Sequence, residues 1–497
     1  MVEIYDSYLV LGTLSFLWLV YLWESYLLKR QCDVLKTTEE IPIELRHVLD
    51  KQTFEKSRLY QVDTKNFGFW SSLYSQIETT LVLLLGGIPL LWWLAGRMLH
   101  RLGYDESYEI SQSMVFAFLG SIYSLITGLP WTIYSTFVIE ERHGFNKQTF
   151  GFFVKDTIKK FIVSMVIGLP IMAGLIYIIK WGGDYFFVYC WIFTLLISLF
   201  LLTIYMDYIA PLFDKFTPVP EGELRRAIEA LAKRIDFPLT KLLVVEGSKR
   251  SSHSNAYFYG FYKNKKIVLF DTLLSEGVMP KKEDEGTNRD SDEQQQDDGG
   301  TEGGNEEQNV ESTVDNGEQP ETGEEVKADE KTKAESGETK TKRLGCTNEE
   351  VLAVLSHEMG HWKLNHTVKN LIIGQFNTLF CFMVFGFLVH WKVLYSSFGF
   401  ETSQPTLIGL LIVFQFIFSP YNELLGFLMT VLSRRFEFQA DKFGKDLGYA
   451  FPLESALIKL HKDNLGFPVA DQLYSTYHYS HPPIVERIQA LRRKKND

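Results

Sequence analysis

Seven stretches of mostly apolar residues, each about twenty long, constrain this chain more than any other feature in it. Backbone in hydrocarbon must satisfy its own N–H and C=O groups, so stretches of this length read as membrane-spanning helices. They cover residues 8–28, 79–99, 113–138, 161–180, 185–206, 368–391 and 406–432. The first is expected to be a retained helix rather than a cleaved signal, because residues 1–7 carry Glu3 and Asp6 without Lys or Arg and no small-residue cleavage site follows. The net charge of −11 hides this membrane character. Lys281–Arg343 holds 21 acidic, 9 basic and only five hydrophobic residues among 63, while the remainder is close to neutral, with 41 basic and 40 acidic side chains. Without that segment the hydrophobic share rises from 46% to about 52%. The expected fold class is therefore a mainly α, polytopic membrane protein. Its acidic insert has too little to bury to offset the entropy of ordering, and reads as a disordered, solvated linker.

Charge beside the spans orients them. No Lys or Arg precedes the first span, eight lie in the first loop between Lys29 and Lys65, and only Arg97 and Arg101 lie in the second. The third loop has Arg142, Lys147, Lys155, Lys159 and Lys160, the fourth and sixth contribute only Lys180 and Lys392, and the fifth loop and C-terminal segment are again basic. Through seven crossings this alternation predicts a lumenal N-terminus and a cytosolic C-terminus. Pro89, Pro130, Pro170 and Pro420 lie inside spans and are each expected to kink the helix. Glu423 lies eleven residues before Arg434, about 16 Å into the bilayer at 1.5 Å per residue. A carboxyl at that depth is either hydrogen-bonded between packed helices or faces a hydrated interior. Cys32, Cys190, Cys346 and Cys381 form no CxxC pair and read as scattered thiols, not as disulfides or metal ligands. Basic residues are gathered on no single element, so no nucleic-acid partner is expected.

The fifth loop is about 160 residues long. Residues 221–235 have apolar Leu224, Ala227, Ile228, Leu231 and Ile235 at helical spacing, 242–245 form a short strand, and 256–262 with 266–270 read as a hairpin around Lys263-Asn264-Lys265. After the acidic segment, 348–366 reads as a helix with Glu349 and Glu350 in its first turn, where the helix dipole favours negative charge.

That helix contains His357-Glu358-Met359-Gly360-His361. Imidazoles at i and i+4 share a face and can reach one Zn²⁺, and Glu358 beside them can take the proton of an attacking water. A catalytic zinc needs a third protein ligand and an open position. Glu437-Phe438-Gln439-Ala440-Asp441, just after the seventh span, again puts two carboxylates on one helical face: one can bind metal while the other orients a ligand imidazole. His361 lies seven residues before the sixth span and Glu437 five residues after the seventh, so both stand at the cytosolic edge of antiparallel spans. His366, five residues past His361, points off the ligand face of a continuous helix and is expected in solvent. His478 and His481 are both candidates for a donor to a developing oxyanion.

The chain resembles the type I CAAX prenyl proteases, integral membrane zinc metalloproteases that mature yeast a-factor and animal prelamin A, and it looks like an animal member. The resemblance spans essentially everything outside the acidic insert. It is carried by Glu140-Glu141-Arg142-His143-Gly144-Phe145-Asn146, Ala210-Pro211-Leu212-Phe213-Asp214-Lys215-Phe216, Ser254-Asn255-Ala256-Tyr257-Phe258, the HExxH and residues 434–441; Met359 stands where leucine is usual. It implies seven kinked helices around a hydrated chamber, capped at the cytosolic face by a zinc metalloprotease domain with a small β hairpin or sheet. The expected division is helices one to five in 1–213, metalloprotease domain in 214–280, insert 281–343, HExxH helix 344–367, helices six and seven in 368–432, and the ExxxD helix with the rest of the domain in 433–497. The resemblance further implies one Zn²⁺ on His357, His361 and Glu437, and Glu358 as base. Asp441 would stand behind a ligand, His481 would stabilise the transition state, and Asn255 would hold the substrate backbone beside an edge strand. Implied substrates are prenylated C-terminal Cys-a-a-X proteins that lose their last three residues, with a second upstream cut in prelamin A-like substrates. Lys494 and Lys495, at −4 and −3, resemble a dilysine retrieval signal, and the expected location is the endoplasmic reticulum and inner nuclear membranes. Two rivals make different predictions. A membrane quality-control zinc protease would cut unprenylated chains, and a scaffold or channel with a structural zinc would have no use for Glu358.

Overall fold

The computed structural model describes residues 2–105, 107–260, 264–275 and 345–493, with side chains from residue 8 onward. The expectations about Lys281–Arg343, Lys263 and Lys494-Lys495 lie outside the described residues. Six helices come first: α1 Val2–Thr37, α2 Lys51–Leu84, α3 Gly87–Arg101, α4 Glu109–Tyr134, α5 Phe150–Trp181 and α6 Phe186–Ile204. Then follow β1 Phe216–Pro218, α7 Glu223–Arg234, β2 Leu239–Val245, β3 Ala256–Tyr259, β4 Lys265–Phe270, α8 Asn348–Lys363 and α9 His366–Leu388. The chain closes with α10 Lys392–Ser396, α11 Thr406–Leu411, α12 Ser419–Gly444, α13 Ala450–Asp463, α14 Gln472–His478 and α15 Ile484–Arg492.

Among the described residues, five helical segments are long and apolar enough to cross a bilayer, and counting each of two bent pairs as one span gives seven. Large apolar side chains such as Val166, Leu196, Phe376 and Phe387 stand exposed along them, the surface that lipid would cover. Four prolines act in two ways. Pro89 and Pro420 sit just after breaks, where α2 meets α3 at 66° and the segment ending at Ile417 meets α12 at 57°. Pro130 and Pro170 remain inside α4 and α5, with a π-helical turn, Ser135–Glu140, taking up the register after Pro130. Among α3, α4, α5 and α11 lies a cavity of about 1170 Å³, lined by Leu91, Phe116, Phe161 and Leu411 together with Lys160 and Arg250. Glu423 accepts a hydrogen bond from the Tyr477 hydroxyl (2.9 Å) and also borders a small polar gap with Glu24, Ser75 and Gln76, so it combines features of both expected environments.

Between α6 and α8 the chain builds a four-stranded mixed sheet, in the order β1-β2-β4-β3. The hairpin is there, with β3 and β4 antiparallel from Ala256↔Leu269 to Tyr259↔Lys266. β2 adds parallel to β4, and β1 adds antiparallel to β2. Three residues ending in Pro218 are too short for an alternating pattern, which is why β1 escapes a sequence reading; proline is tolerated there because β1 is an edge. Leu224, Ile228 and Leu231 of α7 pack with Val244, Ile267 and Leu269 of the sheet and with Leu352, Leu355 and Met359 of α8, which seats the HExxH helix on the sheet. Charge pairs are among the contacts that tie this layer to the spans. Arg250 holds Asp156 of α5 with two bonds (2.8 and 2.9 Å) and Asp214 with a third (2.6 Å), and buried Lys266 of β4 pairs with Asp207.

Candidate metal centre

α8 starts at a reciprocal cap. Thr347 Oγ1 accepts from the Glu350 N–H (3.2 Å) and a Glu350 carboxylate oxygen accepts from the Thr347 N–H (2.8 Å), a pairing that contributes on the order of 1 kcal/mol and fixes where the helix begins. α12 then approaches α8 along a seam of small residues. A Cβ on Gly360 would lie 3.2 Å from the Ala440 Cα, and one on Gly444 would lie 2.8 Å from Ser356 Oγ. This close approach brings Glu437 against the two histidines.

His357 Nε2 and His361 Nε2 face each other at 3.1 Å. Glu437 Oε1 is 3.2 Å from His361 Nε2, and Oε2 is 3.5 Å from His357 Nε2. One atom from each residue forms a group within 4.8 Å, at a site where His357 and Glu437 are buried. His481 Nδ1 lies 2.7 Å from Glu437 Oε2 but out of hydrogen-bond alignment, and that buried oxygen has no hydrogen-bond partner among the described residues. Two ring nitrogens and an orphaned carboxylate oxygen converging on one point fit a divalent ion with a position left open. Glu358 follows His357 directly. Desolvation pushes its carboxyl up, and the neighbouring His357 and His361 only partly counter this, which suits a group that must take up a proton. Burial would lower His357, but hydrogen bonds to Asp441 and Glu437 win and raise it; a bound cation would displace that proton.

Asp441 Oδ1 accepts from His357 Nδ1 at 2.8 Å, on the opposite side of the ring from the Nε2 that faces Glu437. Arg487 is a residue the sequence reading missed. It is 8% exposed and donates to both Asp441 oxygens, at 2.7 and 2.8 Å. Its signal was legible: on α15 it falls within the apolar stripe of Ile484, Ile488 and Leu491, the wrong face for a solvated arginine. His366 corrects an expectation. It is 2% exposed, not in solvent, with Nδ1 3.0 Å from His361 Nδ1 and Nε2 2.9 Å from Gln439 Oε1. The helix is not continuous: Asn365 takes a left-handed φ of 57°, α9 restarts there, and the i+5 argument fails. Of the two downstream histidines, His481 meets Glu437, while His478 packs on Tyr474 and Tyr477. Asn255 is exposed at the start of edge strand β3, its side-chain oxygen accepting from the Ala256 N–H at 2.8 Å.

Known proteins resemble this chain along nearly its whole length. A family model described as CAAX prenyl protease N-terminal, five membrane helices, matches residues 31–215, and the model of Peptidase family M48 matches residues 218–495. The chain is 59% identical to the CAAX prenyl protease 1 homolog of Mus musculus over 98% of its own length and 96% of that protein's. It is 60% identical to the Homo sapiens homolog, over 97% and 95% respectively. The crystal structure of S. mikatae Ste24p superposes with a TM-score of 0.78 at 32% identity, covering 97% of this chain and 98% of that one. With membrane-length helices, a metal-competent HExxH site and matches from end to end, the chain belongs to the CAAX prenyl protease 1 family of M48 metallopeptidases.

Proposed function

We propose that this metallopeptidase is a zinc enzyme that removes the aaX tripeptide from prenylated C-terminal CaaX proteins and makes a second upstream cut in prelamin A-like substrates. One observation carries the reading. Ligand atoms of His357, His361 and Glu437 converge beside Glu358 in a chain similar along its length to CAAX prenyl protease 1 homologs. When bound, zinc supplies Lewis-acid polarisation of the scissile carbonyl and lowers the pKa of an attacking water. His357, His361 and Glu437 would hold it, with Asp441 orienting His357. Glu358 takes the water's proton and returns it to the leaving amine. His481 donates to the developing oxyanion. Asn255 and the open edge of β3 hold the substrate backbone as an added strand.

The same reading divides the chain at the boundaries expected from sequence, with the metalloprotease domain at the cytosolic face and the N-terminus lumenal. The kinked spans enclose a hydrated chamber, a reading supported by the cavity among α3, α4, α5 and α11. The location proposed is the endoplasmic reticulum and inner nuclear membranes, in keeping with helices of membrane length. Detergent-purified protein is offered a farnesylated Cys-a-a-X peptide and its unprenylated twin. Tripeptide release dependent on the prenyl group supports the proposal. Equal cleavage of both peptides would point to a quality-control protease instead.

A further inference from the structure

We propose that His366 is a positioning residue for the second ligand imidazole: with Gln439 it forms a neutral hydrogen-bond relay that fixes the tautomer and orientation of His361. The inference rests on the metal reading above and concerns residues behind the ligands. For Nε2 of His361 to offer its lone pair to a metal, the ring proton must sit on Nδ1. That N–H is in a half-buried site and needs an acceptor. Nδ1 of His366 lies 3.0 Å away. Were it protonated as well, two N–H groups would point at each other, so the His366 proton belongs on Nε2. There it meets Gln439 Oε1 at 2.9 Å. Every proton in the chain then has one direction: His361 Nδ1–H donates to His366 Nδ1, and His366 Nε2–H donates to the Gln439 carbonyl oxygen.

The relay is built rather than incidental. His366 is 2% exposed, and its ring lies flat on Phe436, with centroids 4.0 Å apart and planes 8° from parallel. It is delivered by the left-handed turn at Asn365 that separates α8 from α9. Phe436, Glu437, Gln439 and Asp441 all lie on α12, which therefore supplies the carboxylate ligand and orients both imidazoles. Asp441 reaches His357 directly, and Gln439 reaches His361 through His366. The two ligands are supported differently. An anion backed by Arg487 stands behind His357, and a neutral imidazole stands behind His361. Loss of the relay should thus loosen the site without changing its charge.

The test is zinc affinity of the full-length detergent-purified chain, by competition with a chromophoric chelator, together with the visible spectrum of the Co²⁺-substituted protein. His366→Phe keeps a flat ring for Phe436 but removes both nitrogens; the expected result is about 10–100-fold weaker zinc binding and an altered cobalt spectrum. His366→Asn offers Oδ1 in place of Nδ1 and should stay within about 3-fold of wild type, with Gln439→Leu intermediate. Wild-type affinity and an unchanged cobalt spectrum in His366→Phe would overturn the relay, as would an Asn variant as weak as the Phe variant. If the Phe variant fails to fold, Gln439→Leu decides, and wild-type affinity there overturns the relay. A wild-type chain that binds no zinc at all would instead overturn the metal reading, and the relay with it.

Discussion

A guanidinium that is 8% exposed is tolerable only where carboxylates face it, and Arg487 has Asp441 at 2.7 and 2.8 Å and Glu437 Oε2 at 3.6 Å. Arg487→Leu removes the partner and leaves two buried carboxylates facing each other's field. The expected cost is about 3–5 kcal/mol of stability, read as a lowered thermal midpoint, together with weaker metal retention. Arg487→Lys cannot reproduce the forked contact and should recover only part of it. Cys346 carries a different signature. Burial first, and then Glu350, pushes its thiol up from 9.0 to about 12. Between those pH values the native chain holds a proton that the unfolded chain has lost, so this group's contribution is intact below pH 9 and drains away as pH rises, by about 1.4 kcal/mol per unit at most. The thermal midpoint should therefore fall more steeply from pH 8 to 10.5 in wild type than in Cys346→Ala, and equal slopes would contradict the assignment. At this scale legibility was uneven. The HExxH and ExxxD spacings single out their residues but leave open which ExxxD carboxylate faces both imidazoles, and Arg487 was visible as a charge in an apolar stripe. His366 was not, because its place depends on one backbone angle at Asn365, which no periodicity encodes.

Elements meet at the site because small residues let them. With Gly360 against Ala440 and Gly444 against Ser356, α8 and α12 approach closely enough for ligands on both helices to converge. Gly360→Val adds three carbons where even one would crowd the Ala440 backbone, so the helices must part. The predicted outcome is metal binding weakened by at least about tenfold in chelator competition, with the helical circular dichroism unchanged. α14 gives a second case. Arg30, in the C-terminal third of α1, holds Asp471 with contacts of 2.9–3.2 Å, Gln31 accepts from the Asp471 N–H (2.8 Å), and Asp471 caps α14 by accepting from the Tyr474 N–H (2.9 Å). Arg434 of α12 grips the middle of α14 through the Ser475 carbonyl (3.0 Å). The first span thereby holds the segment leading to His481. Arg30→Ala should lower the cleavage rate about 3–10-fold through loss of that alignment while leaving zinc content at the wild-type level. A loss of zinc would mean that the clamp acts on the ligands instead.

For the whole molecule, length and hydropathy make the spans readable, and loop charge adds an orientation to be tested by accessibility of introduced cysteines. Less of the sheet was readable, because β2 and β4 pair in parallel across a connection and such pairing has no local sequence signal. Breaks come beside Pro89 and Pro420, while Pro130 and Pro170 lie inside continuous helices, a difference that the prolines alone do not encode. The described chain on either side of the acidic segment is already joined: the Cys346 N–H donates to the Leu273 carbonyl at 2.8 Å, and Leu274 pairs with Cys346 in a parallel bridge. Excising Lys281–Arg343 and closing the gap with a short Gly/Ser linker should hold kcat/KM within about 3-fold, since a loop's ends held together by the fold tolerate large changes of length. The account as a whole turns on Glu358 as the proton acceptor beside a metal held by His357, His361 and Glu437. The most direct measurement is zinc content and tripeptide release from a farnesylated peptide, made on wild type and Glu358→Gln in parallel. Both proteins should carry one zinc per chain, and the variant's kcat should drop by at least about 10³-fold with KM little changed. A Glu358→Gln protein that keeps its zinc and cleaves at the wild-type rate would contradict the mechanism.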